Sequence, residues 1–308
     1  MDNNSDNRQL AVAVGTFDGV HLGHQSLLAC LKNAAAKRGL EAAVVTFGCH
    51  PLATLSPGRE PSSLSTPRLK ERLLRQCGVS EVVTLDFDAG LSSLTASRFL
   101  EMLASKYGVR HLVLGFNTSM GSDRVSRIDD FRRIASALGM SVEVAPELGH
   151  GISSSAIRRA IAAGDVAKAA DMLGRPYRLE GRVVHGRQLG RKLGWPTANM
   201  EPEPSSQTMP GRGVYACRAY IDGDVRCYPA MVNVGKRPTV DGAEAMISVE
   251  AHILDLDADL YGRRMTLDFI RRLRDERRFD NVGLLAAQLS ADAEMAREAV
   301  ESETARCR

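Results

Sequence analysis

The chain is short of several things whose absence narrows its chemistry. Its six cysteines, Cys30, Cys49, Cys77, Cys217, Cys227 and Cys307, form no C-x-x-C pair, so neither a zinc site nor a disulfide framework is indicated and reduced thiols are expected. Aromatic residues make up 5% of the chain and include one Trp, which leaves few platforms for stacking nucleic-acid bases. The net charge of +3 is too small for an electrostatic footprint, and in the basic stretch Arg271–Arg278 the interspersed Asp275 and Glu276 favour a solvated face. No apolar run approaches the roughly 20 residues of a membrane span, and Met1 to Gln9 is polar rather than signal-like. A soluble, cytoplasmic protein without nucleic-acid or membrane partners is expected. The Walker pattern G-x-x-x-x-G-K-[ST] is also missing, and no internal repeat links the two halves.

What remains is enough for two ordinary cores, since 308 residues with 44% apolar composition suit a pair of domains. Apolar runs at Leu10–Val14, Ala42–Phe47, Val82–Leu85, Leu112–Leu114 and Val142–Val144 alternate with helical patterns near His24–Lys37, Pro67–Gln76, Ala96–Tyr107 and Asp129–Leu138. Strand and helix in alternation predict a doubly wound parallel sheet. Asp165 can cap one more short helix, and the boundary is placed in Gly174-Arg175-Pro176-Tyr177, giving domains 1–174 and 175–308. Beyond it, β-like runs at Leu179–Val184, Val214–Ile221, Cys227–Val234, Ile247–Leu254 and Met265–Ile270 are divided by Gly, Pro and Asp, and an amphipathic stretch follows from Val282 to Val300. A small β-barrel with a closing helix is predicted.

Directly after the first apolar run comes Gly15-Thr16-Phe17-Asp18-Gly19-Val20-His21-Leu22-Gly23-His24. A helix starting at the carboxyl end of a parallel strand aims free N–H groups and a partial positive charge at a phosphate. Gly15, Gly19 and Gly23 allow a tight turn and close approach of backbone, while His21 and His24 share one face at the helix start. With no acidic cluster nearby, the imidazoles suit hydrogen bonds to a phosphoryl group better than a metal.

The second half has its own phosphate chemistry. Gly186, Gly190 and Gly194, with Arg187, Arg191 and Lys192 between them, make a cationic glycine loop. In Pro196-Thr197-Ala198-Asn199, an extended backbone puts the Thr197 hydroxyl and the Asn199 amide oxygen on one side, within reach of Mg²⁺ that keeps nucleotide phosphates and waters as its other ligands. Glu250 and His252 alternate on a predicted strand, where a carboxylate can take a proton from an attacking hydroxyl.

Residue for residue, Gly15 to His24 resembles the H-x-G-H motif in the form found in flavin adenylyltransferases. Gly181–Gly186, Gly190–Asn199, Pro210–Tyr215, Val232–Thr239, Glu250–His252 and Asp259–Gly262 resemble, in order, the motifs of riboflavin kinase over nearly the whole second domain. Taken together the chain resembles the bifunctional riboflavin kinase and FMN adenylyltransferase (FAD synthetase) family. That resemblance implies riboflavin, FMN and ATP as substrates and Mg²⁺ as cofactor, in a monomer or weak homo-oligomer. It implies Glu250 as the kinase base, Thr197 and Asn199 as Mg²⁺ ligands, and Gly186, Gly190, Arg191 and Gly194 around the ATP phosphates. For adenylyl transfer it implies His21, His24 and Arg158 as catalytic groups, with Gly15, Phe17, Asp18, Gly23, Ser153, Ser154 and Ser155 at the nucleotide. His50, Asn117 and Arg274 are the implied flavin contacts.

The sequence departs from the family pattern at four places. Cys49 replaces a proline in Thr46-Phe47-Gly48-Cys49-His50-Pro51, Thr118 and Met120 replace aromatics in Gly115–Gly121, and Ala156 replaces an arginine in Ile152–Arg158. The last three are expected near the flavin. They leave open a second reading, a riboflavin kinase whose first domain binds nucleotide but has lost or changed FMN adenylylation. A third reading, a nucleic-acid-binding barrel with a Rossmann-like partner domain, meets the near-neutral charge and the scarcity of aromatics.

Overall fold

A computed structural model describes residues 8–149, 151–186, 194–237 and 246–306. Contacts divide the chain into two compact units, residues 1–61 with 67–153 and residues 62–66 with 154–308.

In the first unit five strands, β1 (Leu10–Val14), β2 (Glu41–Phe47), β3 (Glu81–Leu85), β4 (Val109–Leu114) and β5 (Ser141–Val144), form a sheet in the order β3-β2-β1-β4-β5. Every pairing is parallel, as the alternating pattern requires. Between the strands run α1 (Leu22–Arg38), α2 (Pro51–Leu55), α3 (Pro67–Gln76), α4 (Ala89–Ser93), α5 (Ala96–Lys106) and α6 (Ile128–Ala137). The one-turn helices α2 and α4 were not legible in the sequence, because five residues are too few to show a helical period. Alternate residues of β1 serve opposite faces. Leu10 and Val12 pack with Phe99, Leu100 and Phe131, whereas Ala11 and Ala13 pack with Leu28 and Leu31 of α1. The strand order reverses between β1 and β4, which puts the ligand crevice of this architecture at the carboxyl end of β1.

The second unit begins with α7 (Ser154–Ala162) and α8 (Val166–Leu173), the latter capped by Asp165 and stopped by Gly174 in the left-handed region. Six antiparallel strands follow, β6 (Tyr177–Val184), β7 (Ala198–Pro202), β8 (Gly213–Ile221), β9 (Cys227–Arg237), β10 (Met246–Ile253) and β11 (Arg264–Arg274), closed into a barrel in the order β10-β7-β6-β11-β8-β9. Five of these strands were predicted. β7 was not, since Ala198-Asn199-Met200-Glu201-Pro202 has no clean alternation, and its pairing partners supply what its sequence does not. The closing helix α9 (Val282–Arg306) lies on the barrel through Ala293, Ala296 and Ala299, and Arg274 binds the fully buried Asp292 with Nε and Nη2, the latter at 2.7 Å.

Packing groups α7 and α8, which precede Gly174, with the barrel. Ile157, Ile161, Val166 and Leu173 of α7 and α8 share one core with Tyr177, Leu179, Val183 and Phe269 of the barrel, and Leu64 from the 62–66 segment joins them. Helical periodicity carries through to Leu173, so the sequence reads α7 and α8 as a continuation of the preceding alternation. Their apolar faces are claimed by the barrel instead.

Candidate functional sites

The turn after β1 is strained. Phe17 and Val20 both have positive φ, 49° and 40°, and Val20 is β-branched, which makes its conformation a clear outlier held by its surroundings. Phe17 is buried, its ring lying where a Cβ on Gly15 would touch it at 3.3 Å, and its edge meets His24 at 5.1 Å. His21 caps α1, its Nδ1 accepting from the His24 backbone N–H at 3.3 Å. An accepting Nδ1 puts the imidazole proton on Nε2, so the cap fixes the tautomer as well as the ring position. The His21 and His24 rings stack with centroids 3.7 Å apart and planes at 16°. Gly23 permits this, because a Cβ there would press the His21 ring at 3.2 Å. Burial, and then the neighbouring His21, hold the His24 pKa well below the ordinary histidine value. Its Nδ1 is buried without a hydrogen-bond partner.

Lys70 of α3 is a member of this region that sequence reasoning missed. Its Nζ donates to the Phe47 carbonyl at 2.8 Å and to the Thr16 carbonyl at 3.4 Å, tying the carboxyl ends of β1 and β2 together. Burial lowers its pKa, and the nearby Asp18 offsets part of that shift. A lysine on an amphipathic helix carries no local signal of such a role.

In the barrel, strand register assembles the second site. Glu250 of β10 is the direct partner of Asn199 on β7 and of Asn233 on β9, and directly opposed residues share a face. The row continues through Val214 on β8 to Arg274 on β11. Glu250, Asn233, Val214 and Arg274 of this row line a cavity of about 390 Å³ together with Thr197, His252 and Glu276, while Asn199 is buried beside it. His252 hydrogen-bonds the Pro196 carbonyl through Nδ1 at 2.7 Å, and since a carbonyl can only accept, His252 carries its proton on Nδ1 and holds the stretch that leads into Thr197. A Cβ on Gly186 would collide with the Asn199 side-chain amide, so the glycine lets the start of the loop lie against it.

The remaining expected residues fall as follows. His50 caps α2 with Nδ1 accepting from Leu52 N–H at 3.1 Å, which again leaves Nε2 as the donor. Asn117 is exposed in the turn after β4, beside an exposed Phe116. Met120 is buried in the core with Phe99 and Phe131, so its exchange for an aromatic is a packing change. Arg274 lines the barrel cavity, but its guanidinium is committed to Asp292 and the Asp275 carbonyl, which makes it a wall rather than a free donor. Ser153 ends the first unit, whereas Ser154, Ser155 and Arg158 belong to the second, where Arg158 Nε donates to the Ser62 carbonyl at 2.6 Å. Gly194 has φ of 78°, and Gly190 and Arg191 lie outside the described residues.

The FAD synthetase family pattern matches residues 3–156 and the riboflavin kinase pattern matches residues 173–300. A bifunctional riboflavin kinase/FMN adenylyltransferase of Pseudomonas fluorescens is 38% identical over 95% of this chain and 93% of its own length. The protein of the same name from Escherichia coli is 36% identical over 93% of this chain and 91% of its own. The chain belongs to the bifunctional riboflavin kinase/FMN adenylyltransferase family. A solved structure described as a macrolide-efflux protein from Streptococcus pneumoniae also superposes, with a TM-score of 0.86, 35% identity and 94% coverage of both chains. No described helix of the present chain is long and apolar enough to cross a membrane. Within the family framework, the two matched patterns each contain one of the sites described, the stacked histidines in the first and the Glu250 row in the second.

Proposed function

We propose that this member of the family phosphorylates riboflavin to FMN in the barrel and adenylylates FMN to FAD in the parallel-sheet unit, with ATP as the donor in both reactions. The observation that carries the kinase half is the register row that sets Glu250 between Asn199 and Asn233 at the rim of a cavity of about 390 Å³. Glu250 takes the proton of the terminal ribityl hydroxyl as its oxygen attacks the γ-phosphorus, and ADP leaves in line. The donor set near it fits Mg²⁺, because Thr197 and Asn199 offer a hydroxyl and an amide oxygen, hard neutral ligands that leave room for nucleotide phosphates and waters. When bound, the ion would neutralise charge on the phosphates. His252 keeps Thr197 in place through Pro196.

For adenylyl transfer, an oxygen of the FMN phosphate attacks the α-phosphorus of ATP, and pyrophosphate departs. No protein nucleophile is required. His21 and His24 stabilise the charge that builds on the phosphoryl oxygens, and the strained Phe17–Val20 turn holds them in position before substrate arrives. Arg158 of α7 is the cation assigned to this reaction by the resemblance of Ile152–Arg158 to the family motif. His50 and Asn117 are assigned to the flavin, and cytoplasmic residence as a monomer or weak homo-oligomer belongs to the same reading.

Incubation of the purified protein with riboflavin, ATP and Mg²⁺, resolved by chromatography, tests both halves. FMN followed by FAD is expected. FMN alone would favour a kinase with an altered nucleotide-binding unit, and neither product would overturn the reading.

A further inference from the structure

Asn233 and Glu276 form a pair that the proposed kinase mechanism does not use. Asn233 lies directly across the strand pairing from Glu250, so it is the closest cross-strand neighbour of that carboxylate on the β9 side. Its Nδ2 donates to Glu276 Oε1 at 3.3 Å, and the other carboxylate oxygen of Glu276 accepts from Arg212 Nε at 3.0 Å. A carboxylate only accepts, so the Asn233 amide cannot turn its oxygen toward Glu276. The amide orientation is therefore fixed, with Oδ1 left as an acceptor on a residue that lines the cavity. Gly235, two residues along the same strand and on the same face, completes the arrangement, because a Cβ there would collide with Glu276 Oε1. The Asn-x-Gly spacing of β9 is thus the seat for this carboxylate.

We infer that Asn233, oriented by Glu276, binds the riboflavin side chain, its Oδ1 accepting a hydrogen bond from a ribityl hydroxyl so that the terminal hydroxyl reaches Glu250. The inference rests on Glu250 being the kinase base. Asn233 is then a specificity residue for a polyol chain, and Glu276 is a positioning residue that acts through it. Arg212 pairs with Glu276 from the exposed side.

The test measures riboflavin affinity by flavin fluorescence and steady-state phosphorylation with each substrate varied, in Asn233→Ala, Glu276→Gln and Gly235→Ala. Loss of one hydrogen bond made equally in the ground and transition states should raise Kd and KM for riboflavin by roughly tenfold, with the effect on riboflavin KM exceeding any on kcat or on the KM for ATP. Lumiflavin, which lacks the ribityl chain, should bind each variant as it binds the parent. An unchanged KM for ATP in the phosphorylation reaction reports an intact barrel. A clamp of purely structural value would instead lower the melting temperature and leave the riboflavin-to-lumiflavin preference alone. Riboflavin affinity within twofold of the parent in Asn233→Ala, or equal weakening of riboflavin and lumiflavin, would overturn the inference. Failure of the Glu250 assignment reads out separately, as an unchanged kcat in Glu250→Gln. If Glu276→Gln does not fold, Asn233→Ala decides, because it leaves Glu276 with Arg212.

Discussion

His21 and His24 are stacked at 3.7 Å between ring centroids, and the Nδ1 of the first accepts the backbone N–H of the second. The same contact caps a helix and aligns two donors. His24→Ala removes one donor to the transition-state oxygens, for which the barrier should rise by about 3 kcal/mol. Adenylylation should fall by two orders of magnitude or more while phosphorylation of riboflavin continues, so FMN should accumulate. Undiminished FAD formation would show that His24 serves the helix start alone.

The same pair predicts a pH dependence of stability. The folded pKa of His24 is lowered below its unfolded value, so the unfolded chain binds the extra proton. The stability linked to His24 is therefore complete above about pH 6.5 and is lost as the pH falls from there toward the folded pKa. His111, buried in β4 with its pKa also lowered, adds to the slope. Melting temperatures measured from pH 8 to pH 5 should decline less steeply in His24→Gln than in the parent, with the His111 part of the decline remaining. Identical slopes would remove the buried, neutral His24 from the account.

Glu250→Gln keeps the size and hydrogen bonding of a strand residue between two asparagines but removes the proton acceptor. Riboflavin phosphorylation should drop by roughly a hundredfold or more, seen in kcat. Adenylylation of supplied FMN should match the parent. A kinase rate near that of the parent would make Glu250 a structural residue.

Because α7 and α8 share the barrel core, the place where the chain is cut decides whether the kinase survives alone. A fragment 154–308 keeps Ile157, Ile161, Val166 and Leu173, and it should fold and make FMN without FAD. A fragment 174–308 loses all four, each worth about 1.5–3 kcal/mol of burial, and it should be unfolded or far less stable in urea titrations. Equal stability of the two fragments would restore Gly174 as the working boundary.

Thr118 and Met120, both expected near the flavin, differ in burial. Met120 sits in the core with Phe99 and Phe131, so Met120→Phe should cost about 1–3 kcal/mol through overpacking and leave the KM for FMN alone. Thr118 is only partly buried in the turn beside Asn117, and its N–H closes the turn on Gly115. If that turn meets the flavin, Thr118→Phe by itself should lower the KM for FMN. Steady-state adenylylation and thermal melts on the two single variants separate these outcomes.

The sequence by itself determined the two architectures and most of the chemistry. Leu10–Val14 is an uninterrupted apolar run because both its faces are covered, and the Gly-rich string after it needs backbone conformations that the structure displays at Phe17, Gly19 and Val20. Such signals are local, so they are written where they act. Tertiary structure decided what depends on partners distant in the chain. Register alone sets Glu250 between Asn199 and Asn233, and a single slip would turn it to the other face. Lys70 reaches the ends of β1 and β2 only because α3 packs there, and Met120 is a core residue because its neighbours in space are Phe99 and Phe131. The same holds for α7 and α8: periodicity shows that they have apolar faces, but only packing shows that the barrel covers them.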